Sequence, residues 1–458
     1  MAESRHASGV LTIYVSLAMN QVEFFHALGR HAQARGERVA HICFHEGGCA
    51  WLAAQGALVF NPFSYDAEPP PFSAYGIDDP LSLVAHERAA YEQPDDKALL
   101  RKFRGHLGAV VQIFDEIAAQ HSGAVRVVQE LGGFLSVLAV FHEARRRKID
   151  NYFLEPSFFR RRFFVVKNSL AALQVAGPHA EVVSPEVLGY VEDTLRKQAL
   201  VVPLKDKSHY RRPLRKLVDA RNWKRLIEKV ADKYLRGRRE EFSHIGGHVS
   251  RHLRMFWNHV RLRPYYRQIP SHGKFVYYPL HVPVDVALTL RSPAYLNQVR
   301  LIDQIAQMVP RDWGVVFKEH PALVGAVSAD AITRMLRNRP NVAILDPGVN
   351  NFEVLKAADL VVTVNSKTGA EALMFQKPVV VLGDAFYRSC SLVTPIGELV
   401  ALRELLASGR YLRPIAEEDA RRYFQDVWQA SLPGEIYDVD PANIGQFSTS
   451  LNRSIAGA

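Results

Sequence analysis

Several kinds of feature are scarce or missing in these 458 residues, and each absence narrows the classes of protein that remain. No run of eighteen apolar residues occurs, so no segment is predicted to cross a membrane. The first six residues lack the basic start and apolar stretch of a signal peptide. We also find no internal repeat and no low-complexity stretch. The sequence therefore predicts a globular protein of the cytoplasm.

Cysteine is also scarce, with only Cys43, Cys49 and Cys390 in the whole chain. An odd and small number of cysteines is typical of a reducing compartment and free thiols. Cys43 and Cys49 lie close to His41 and His45, but this spacing matches no common zinc pattern. A Walker-type loop and a complete dinucleotide fingerprint are missing as well. We therefore expect neither a metal nor a bound cofactor.

The net charge of +10 is concentrated in one segment. Residues 205–267 contain 19 Lys and Arg against 6 Asp and Glu, a local excess of +13, which leaves about −3 for the rest of the chain. Aromatic residues such as Trp223 and Trp257 lie among these charges. The pattern favours an anionic partner, either the inner-membrane surface or an anionic glycan, and a solvated linker is the alternative. Nucleic acid is not predicted, because no binding motif accompanies the charge.

Apolar runs and helical patterns alternate in two separate parts of the chain. This alternation predicts an α/β fold with two doubly wound Rossmann-like domains, 1–168 on the acceptor side and 271–400 for a nucleotide sugar. A basic helical segment, 169–270, joins them, and a tail, 401–458, is predicted to be helical first and loop-like later. Residues 85–119 are predicted to form one long helix. This layout is that of the GT-B architecture, whose active site lies in the cleft between the domains.

Two polar motifs follow predicted buried strands in the second domain. Lys318 and His320 come directly after the strand 313–317, and ligands of open α/β sheets bind at such strand ends. The imidazole can bond a phosphate and the ammonium can offset its charge, so both residues are predicted to bind a phosphate-bearing donor. The alternative is a structural His320 that is hydrogen-bonded to backbone.

The second motif begins at Asn365, directly after the strand 360–364. Ser366 and Thr368 bring hydroxyl groups to the start of the next helix, whose N-terminus attracts anions, and Gly369 allows a tight turn. Glu371 is predicted to accept hydrogen bonds from a ribose. All five residues are therefore predicted to bind the donor nucleotide. The alternative is that Ser366 or Thr368 only caps the helix, with Glu371 completing a capping box.

Three carboxylates are candidates for the chemistry. Asp285 follows the first strand of the second domain, where it could attack or stabilise an oxocarbenium-like anomeric carbon. Its alternative role is that of a helix N-cap. Glu155 and Glu130 follow or end strands of the first domain, and either could act as a general base toward an acceptor hydroxyl.

With these residues in place, the chain resembles the bacterial capsule polysaccharide synthesis family, which includes transferases that use CMP-Kdo, the activated form of 3-deoxy-D-manno-oct-2-ulosonic acid (Kdo). The resemblance is densest over 275–390 and weaker over 10–165. It is carried by Pro279-Leu280 with Asp285, by Lys318-Glu319-His320-Pro321, by the run from Asn365 to Leu373, by Gly383-Asp384-Ala385-Phe386-Tyr387, and by Glu155.

The resemblance implies that His320 and Ser366 bind the nucleotide phosphate. It also implies that Asp285 is the essential carboxylate and the nucleophile of a retaining double displacement. The chain departs from the family at His281, where the family usually has Gln four residues before that Asp.

The residues and the resemblance together indicate a glycosyltransferase of surface polysaccharide assembly, peripheral to the inner membrane. It would take CMP-Kdo or another nucleotide sugar as donor and a lipid-linked or glycan acceptor. One alternative is a CDP-glycerol or other polyol-phosphate transferase, in which His320 acts in phosphoryl transfer. Another is a non-catalytic partner of a capsule export complex.

Overall fold

The computed structural model describes residues 9–92, 95–198, 231, 235–242, 245–411 and 413–457. Within the predicted basic segment 169–270, residues 199–230, 232–234 and 243–244 lie outside these ranges. Within the described residues, no helix is long and apolar enough to cross a membrane.

Fourteen strands form two sheets in the described part of the chain. Their bounds are Leu11–Ser16 (β1), Arg38–Cys43 (β2), Leu58–Phe60 (β3), Val125–Glu130 (β4), Asp150–Pro156 (β5), Arg162–Lys167 (β6), Tyr266–Arg267 (β7), Lys274–Pro279 (β8), Trp313–Lys318 (β9), Val342–Leu345 (β10), Leu360–Thr363 (β11), Val379–Val381 (β12), Thr394–Pro395 (β13) and Leu432–Pro433 (β14).

The helices lie mainly between these strands. The α-helices are Met19–Ala34 (α1), Glu46–Ala54 (α2), Pro80–Leu83 (α3), Ala85–Tyr91 (α4), Asp96–Gln120 (α5), Leu135–Arg146 (α6), Pro185–Lys197 (α7), Ile245–Leu262 (α8), Val286–Thr289 (α9), Gln298–Met308 (α10), Ala329–Asn338 (α11), Asn351–Ala357 (α12), Lys367–Met374 (α13), Ala401–Ser408 (α14), Glu417–Ala430 (α15) and Pro441–Ala456 (α16). Short 3-10 turns occur at Pro62–Ser64, Phe72–Tyr75, Arg263–Tyr265 and Pro293–Tyr295.

Both sheets are doubly wound, as the alternating pattern predicts. The first has the order β14-β6-β5-β4-β1-β2-β3, in which β1 to β5 are parallel and the β5–β6 and β6–β14 pairs are antiparallel. The second has the order β13-β12-β11-β8-β9-β10-β7 and is parallel throughout. The strand order reverses between β1 and β4 in the first sheet and between β8 and β11 in the second. Ligands of such sheets bind at these switch points.

Burial explains why the central strands can be recognised from the sequence. Every residue of β1 and of β11 is buried, as expected for a parallel sheet covered by helices on both faces. β8 and β9 are paired along their whole length, with Lys274 opposite Trp313 and Pro279 opposite Lys318. The loops that follow these two strands therefore start side by side at one edge of the second sheet.

The predicted long helix 85–119 is wrong, because the structure contains two helices there. α4 ends at Tyr91, Glu92 has a positive φ of 52°, and α5 begins only at Asp96. The carboxylate of Asp95 accepts a hydrogen bond from the amide of Ala98 and so caps α5 at 3.1 Å. A helix cap needs non-helical backbone, so one continuous helix cannot contain it.

The tail is also more ordered than predicted, because its last part is helical and not loop-like. α15 packs Tyr423, Phe424 and Val427 into an apolar core shared with the second sheet. The chain then returns to the first sheet, where β14 pairs with β6 and α16 packs Phe447 against α1. The tail therefore makes contacts on both sides of the molecule.

Candidate active site

A cavity of about 560 Å³ lies between the two sheets and is lined by residues of both. It lies beyond the carboxyl ends of β4, β5, β8, β9 and β11, where the loops of the two sheets face each other. Eight of the ten predicted site residues line it, namely Glu130, Glu155, Asp285, His320, Asn365, Ser366, Thr368 and Glu371. The two exceptions are Lys318 and Gly369.

Asp285 is at once a helix cap and part of the cavity wall. Its carboxylate accepts a hydrogen bond from the amide of Ala287 at 3.0 Å, as an N-cap does. Three imidazoles, those of His86, His281 and His320, are close enough for the Asp285 charge to raise their pKa values. Burial is the larger effect and lowers each of the three pKa values to about 4. All three rings are therefore neutral at pH 7.

His281 occupies the position at which the chain departs from its family. It is buried, its amide donates to Gln298 Oε1 at 2.7 Å, and its carbonyl accepts from Gln298 Nε2 at 3.0 Å. Its Nε2 lies 3.5 Å from the hydroxyl oxygen of Thr363 at the end of β11. This ring thus connects the loop after β8 to β11 and also lines the cavity.

His320 presents one particular tautomer to its surroundings. The amide of Ala322 donates to His320 Nδ1 at 3.3 Å. The hydrogen bond to backbone that the structural alternative for His320 requires is therefore present. Because a neutral imidazole carries a single N–H group and Nδ1 accepts, the proton is on Nε2. A neutral His320 can therefore donate a hydrogen bond to an anion without contributing charge.

Lys318 does not converge with His320 on the cavity, contrary to the sequence prediction. Its ammonium donates to the carbonyl of Val349 at 2.6 Å, and burial lowers its pKa to about 8. β-Strand geometry explains the difference, because Lys318 is still the last residue of β9 whereas His320 lies in the loop beyond it. Glu319, between them, is buried and accepts from the hydroxyl of Tyr266 at 2.7 Å.

The loop after β11 is joined to the loop after β8. Ser366 is the N-cap of α13, and its hydroxyl accepts from the amide of Thr368 at 3.2 Å. The side-chain amide of Asn365 donates to the carbonyl of Ala287 at 2.6 Å. Asp285, Asn365 and Ser366 thus lie together at the switch point of the second sheet, as the strand order requires.

Gly369 lies behind the cavity wall and leaves no room for a side chain. A Cβ atom there would lie 2.9 Å from Thr363 Cγ2 and even closer to the hydroxyl of Tyr387. This residue is therefore needed for the close packing of α13 on the sheet. It is not among the residues that line the cavity.

Glu371 does not complete a capping box, so that part of the alternative is wrong. A capping box pairs the N-cap with the residue three positions later, which is Gly369 for the cap Ser366, and the amide of Ser366 donates instead to the hydroxyl of Thr363 at 3.2 Å. The Glu371 carboxylate instead accepts from the side-chain amide of Asn351 at 3.1 Å. Burial raises the pKa of Glu371 to about 7, with Lys367 opposing that effect most strongly. A carboxyl group that can hold or release a proton near neutral pH therefore lines the cavity.

The first-sheet carboxylates are held by partners from distant parts of the chain. Glu155 forms a bidentate ion pair with Arg291, which follows α9, and one of its two bonds measures 2.9 Å. Glu130 accepts from Gln21 Nε2 at 3.0 Å and from the hydroxyl of Tyr437 in the tail. Both of these bonds fall on Glu130 Oε2.

Sequence reasoning missed the residues that hold the two walls together. Arg291 also donates to the carbonyls of Leu170 and Ala171, at 2.8 and 3.0 Å. Lys367 at the start of α13 donates to the carbonyl of Ser157 at 2.8 Å. No local signal could have revealed these contacts, because their partners are more than a hundred residues away in the chain.

The described part of the chain contains no group of three or more His, Cys, Asp or Glu side chains that could hold a metal ion. The thiol of Cys49 donates to the carbonyl of Cys43 at 3.2 Å, and His45 Nδ1 accepts from the amide of Gly48 at 2.9 Å. His45 thus caps α2.

Comparison with known families identifies the region that contains most of this site. A family model described as capsule polysaccharide biosynthesis protein matches residues 218–394. The match covers less than half of the chain and shows a similarity of this segment to that family. The predicted family resemblance is thus confirmed over the segment that carries Asp285, His320 and Ser366.

The individual proteins to which the chain is similar match it over a short segment or at low sequence identity. Protein FixF of Sinorhizobium fredii is 31% identical over 153 residues, which are 33% of this chain and 36% of FixF. The chain therefore spans about a third of the length of this curated relative. Two structures of KpsC from Thermosulfurimonas dismutans, titled beta Kdo 2,7 transferase and beta Kdo 2,4 transferase, are 15% and 14% identical. They cover 75% and 74% of this chain and 96% and 95% of their own, with TM-scores of 0.35 and 0.34. TM-scores below 0.5 do not establish a common fold, so the fold assignment rests on the strand order.

Proposed function

We propose that this protein is a glycosyltransferase of capsular or surface polysaccharide biosynthesis that uses a nucleotide-activated sugar. The observation that carries the proposal is the convergence of Asp285, His320 and the Ser366-capped N-terminus of α13 on one cavity. A nucleophilic carboxylate beside a site for an anionic leaving group is what glycosyl transfer requires. The family resemblance favours CMP-Kdo as donor.

In the proposed complex, the nucleotide phosphate lies against the second sheet. The N-terminus of α13 attracts the phosphate through its dipole, and His320 donates a hydrogen bond from Nε2. Asn365 and Thr368 shape the same corner, and Glu371 accepts from the ribose. Lys318 acts at longer range through its charge, since its ammonium is bonded to a backbone carbonyl. The nucleotide sugar is the substrate, and we assign no cofactor or metal.

Asp285 is the proposed nucleophile of a two-step, retaining reaction. Its carboxylate oxygen forms a bond to the anomeric carbon while the bond from that carbon to the phosphate oxygen breaks, and CMP leaves with the bonding electrons. An acceptor hydroxyl then displaces Asp285 and gives its proton to a first-sheet carboxylate. We assign that proton to Glu130 rather than Glu155, because the bidentate pair with Arg291 occupies both oxygens of Glu155. Glu155 then positions Arg291.

The acceptor is proposed to be a glycan or a lipid-linked glycan presented at the inner-membrane surface. Two observations support this acceptor. One is the basic charge of 205–267, and the other is the C-terminal part of this segment, which the structure describes. Its helix α8 exposes Leu253 and Trp257, one turn apart, at 50% and 60% of their surface. Exposed aliphatic and aromatic side chains among Arg residues are typical of attachment to an anionic interface.

The proposal is tested by measuring release of CMP from CMP-Kdo. Asp285→Asn keeps a side chain that can cap α9 but removes the nucleophile, so we expect turnover to fall by about a thousandfold or more. His320→Ala should reduce it about a hundredfold, as loss of one donor at an anion does. Asp440→Ala is the matched control, because Asp440 caps α16 through the same contact, to the amide of Ala442 at 2.9 Å, away from the cavity.

The outcomes separate the alternatives. Unchanged turnover in both cavity variants would overturn the site assignment. Full activity of Asp285→Asn with loss in His320→Ala would instead favour a polyol-phosphate transferase, which needs no carboxylate nucleophile. Failure of the folded protein to bind CMP or CMP-Kdo in calorimetry would favour a non-catalytic partner of an export complex.

A further inference from the structure

His86 connects the first domain to the helix that Asp285 caps. It lies in α4, is only 6% exposed, and places Nδ1 2.9 Å from the hydroxyl oxygen of Thr289 in α9. The Thr289 hydroxyl in turn donates to the backbone carbonyl of Asp285 at 2.9 Å. Two hydrogen bonds therefore join α4 to the residue proposed as the nucleophile.

The direction of these bonds follows from the number of protons. A threonine hydroxyl has one proton, and here it is donated to the Asp285 carbonyl. The proton between His86 and Thr289 must therefore come from His86 Nδ1. Burial lowers the pKa of His86 to about 4, so the ring is neutral at pH 7 and the Nδ1–H tautomer has its second nitrogen unprotonated.

The ring has little freedom to move. The rings of His86 and Phe134 pack edge to face with their centroids 4.6 Å apart, and Gly133 lies so close that any Cβ there would overlap the His86 ring. A glycine at this position thus allows the ring to fit between the loop after β4 and α9.

The helix that carries His86 is also anchored, at the very next residue. Glu87 is fully buried, accepts from Lys102 Nζ at 2.9 Å and from the amide of Leu135 at 2.8 Å. Lys102 also donates to Glu241 at 2.6 Å. This buried hydrogen-bond network anchors the helix at Glu87.

We infer that His86 is a positioning residue for Asp285: from the anchored helix α4 it holds Thr289, and through Thr289 the backbone of Asp285, in the orientation that directs the carboxylate into the cavity. The inference rests on the proposed role of Asp285. His86 itself touches no substrate in this account, and it acts only through the hydrogen-bond chain. Small displacements of a reacting group can lower a rate by about a hundredfold.

The first test needs no substrate. Hydrogen–deuterium exchange in the peptide spanning 285–291 should become at least about tenfold faster in His86→Ala and in Thr289→Val, because each change removes a link of the chain. His142→Ala is the matched control. His142 is also 6% exposed, burial also lowers its pKa to about 4, and neither ring nitrogen has a hydrogen-bond partner among the described residues. Equal exchange at 285–291 in all three variants and the wild type would overturn the inference.

The second test uses CMP release from CMP-Kdo. We expect His86→Ala to lower kcat about thirtyfold with the KM for CMP-Kdo changed less than about threefold, and His86→Asn, whose side-chain amide can donate in place of Nδ1, to recover most of that loss. His142→Ala should leave kcat unchanged.

The result also distinguishes this inference from the proposed function. If Asp285→Asn is inactive and His86→Ala is fully active, only the inference fails. If Asp285→Asn is fully active, the proposed function of Asp285 fails, and the exchange experiment still decides whether His86 holds the backbone of 285–289. An equal loss in His86→Ala and His86→Asn would contradict positioning by a donated hydrogen bond.

Discussion

The two walls of the cavity are built in different ways. On the second-sheet wall, the polar groups are held mainly by nearby residues: Asp285 caps the amide two residues on, and Ser366 does the same. On the first-sheet wall, Glu155 and Glu130 are held by Arg291 and Tyr437, which are 136 and 307 residues away. The caps of the first wall form within their own loops, whereas the carboxylates of the second wall are held only when distant parts of the chain are folded together.

This difference has a consequence for mutations. Changes on the second-sheet wall should affect binding and chemistry while the fold persists, because local caps tolerate substitution. Changes to the long-range contacts should affect the stability of the two sheets together, since their partners come from opposite sides of the molecule. Arg291 and Tyr437 provide tests of the long-range contacts, and Glu371 and Gly369 provide tests of the second-sheet wall.

The largest effect is expected for Arg291→Met, which leaves the Glu155 carboxylate without its cation at a position where it is 18% exposed. We expect the free energy of unfolding to fall by about 4 kcal/mol, as when one partner of a buried ion pair is removed. Urea denaturation measures this free energy. The double variant Arg291→Met with Glu155→Met should recover much of the loss.

Arg261→Met, which breaks an exposed pair with Asp330, should change little. Similar losses in both single variants would contradict the comparison.

The next effect is a dependence on pH. The pKa of Glu371 rises from its ordinary value of 4.5 to about 7 on folding, so the native state holds this proton to higher pH than the unfolded chain does. The stability that Glu371 contributes is therefore present below pH 4.5 and is lost as pH rises to about 7. Relative to Glu371→Gln, the wild type should lose up to about 3 kcal/mol across this interval. Parallel stability curves of the two proteins would show that the pKa is not raised.

A smaller effect is expected for Gly369→Ala, because the new methyl group would collide with Thr363 and Tyr387. Overpacking of this kind costs about 2 kcal/mol, which thermal unfolding can detect. Gly105→Ala serves as the control. Gly105 lies on an exposed part of α5 with open space around it, so alanine should stabilise the protein by about 0.5 kcal/mol. If Gly369→Ala is as harmless as the control, the close packing of α13 is not required.

The smallest effect is expected for Tyr437→Phe, which removes the hydrogen bond to Glu130 and the one that the hydroxyl accepts from Gln21 Nε2, and leaves the bond from Gln21 to Glu130 in place. The cost should be about 1 kcal/mol in the free energy of unfolding. Tyr423→Phe is the matched control, because the buried hydroxyl of Tyr423 has no partner among the described residues. Its removal should be neutral or stabilising. An equal cost in both variants would mean that the tail does not support Glu130.

The same contrast explains what could be predicted from the sequence. Buried runs of β-branched residues such as Leu360–Thr363 predict the parallel strands from the sequence alone. The loops after these strands contain the polar motifs. The sequence predicts helix caps at Asp285 and Ser366 as alternatives to a functional role for these residues. In the structure, both residues cap helices and also line the cavity. These features depend on a few neighbouring residues.

The errors have the same origin. The short sequence distance groups Lys318 with His320, but the strand ends between them and their side chains take different directions. The pattern of the tail predicts a partly loop-like segment, although Asp440 followed by Pro441 is a signal for the start of a helix. The pair of Arg291 with Glu155 could not have been predicted, because only the packing of two separate sheets brings these residues together.

The most direct test of the central claim is a crystal structure of the protein with CMP. The account predicts the phosphate in the cavity between the sheets, within hydrogen-bond distance of His320 Nε2 and of the N-terminus of Lys367–Met374, with the Asp285 carboxylate facing the space that the sugar would occupy. CMP bound at another place, or in the cavity with its phosphate away from both His320 and this helix, would contradict it.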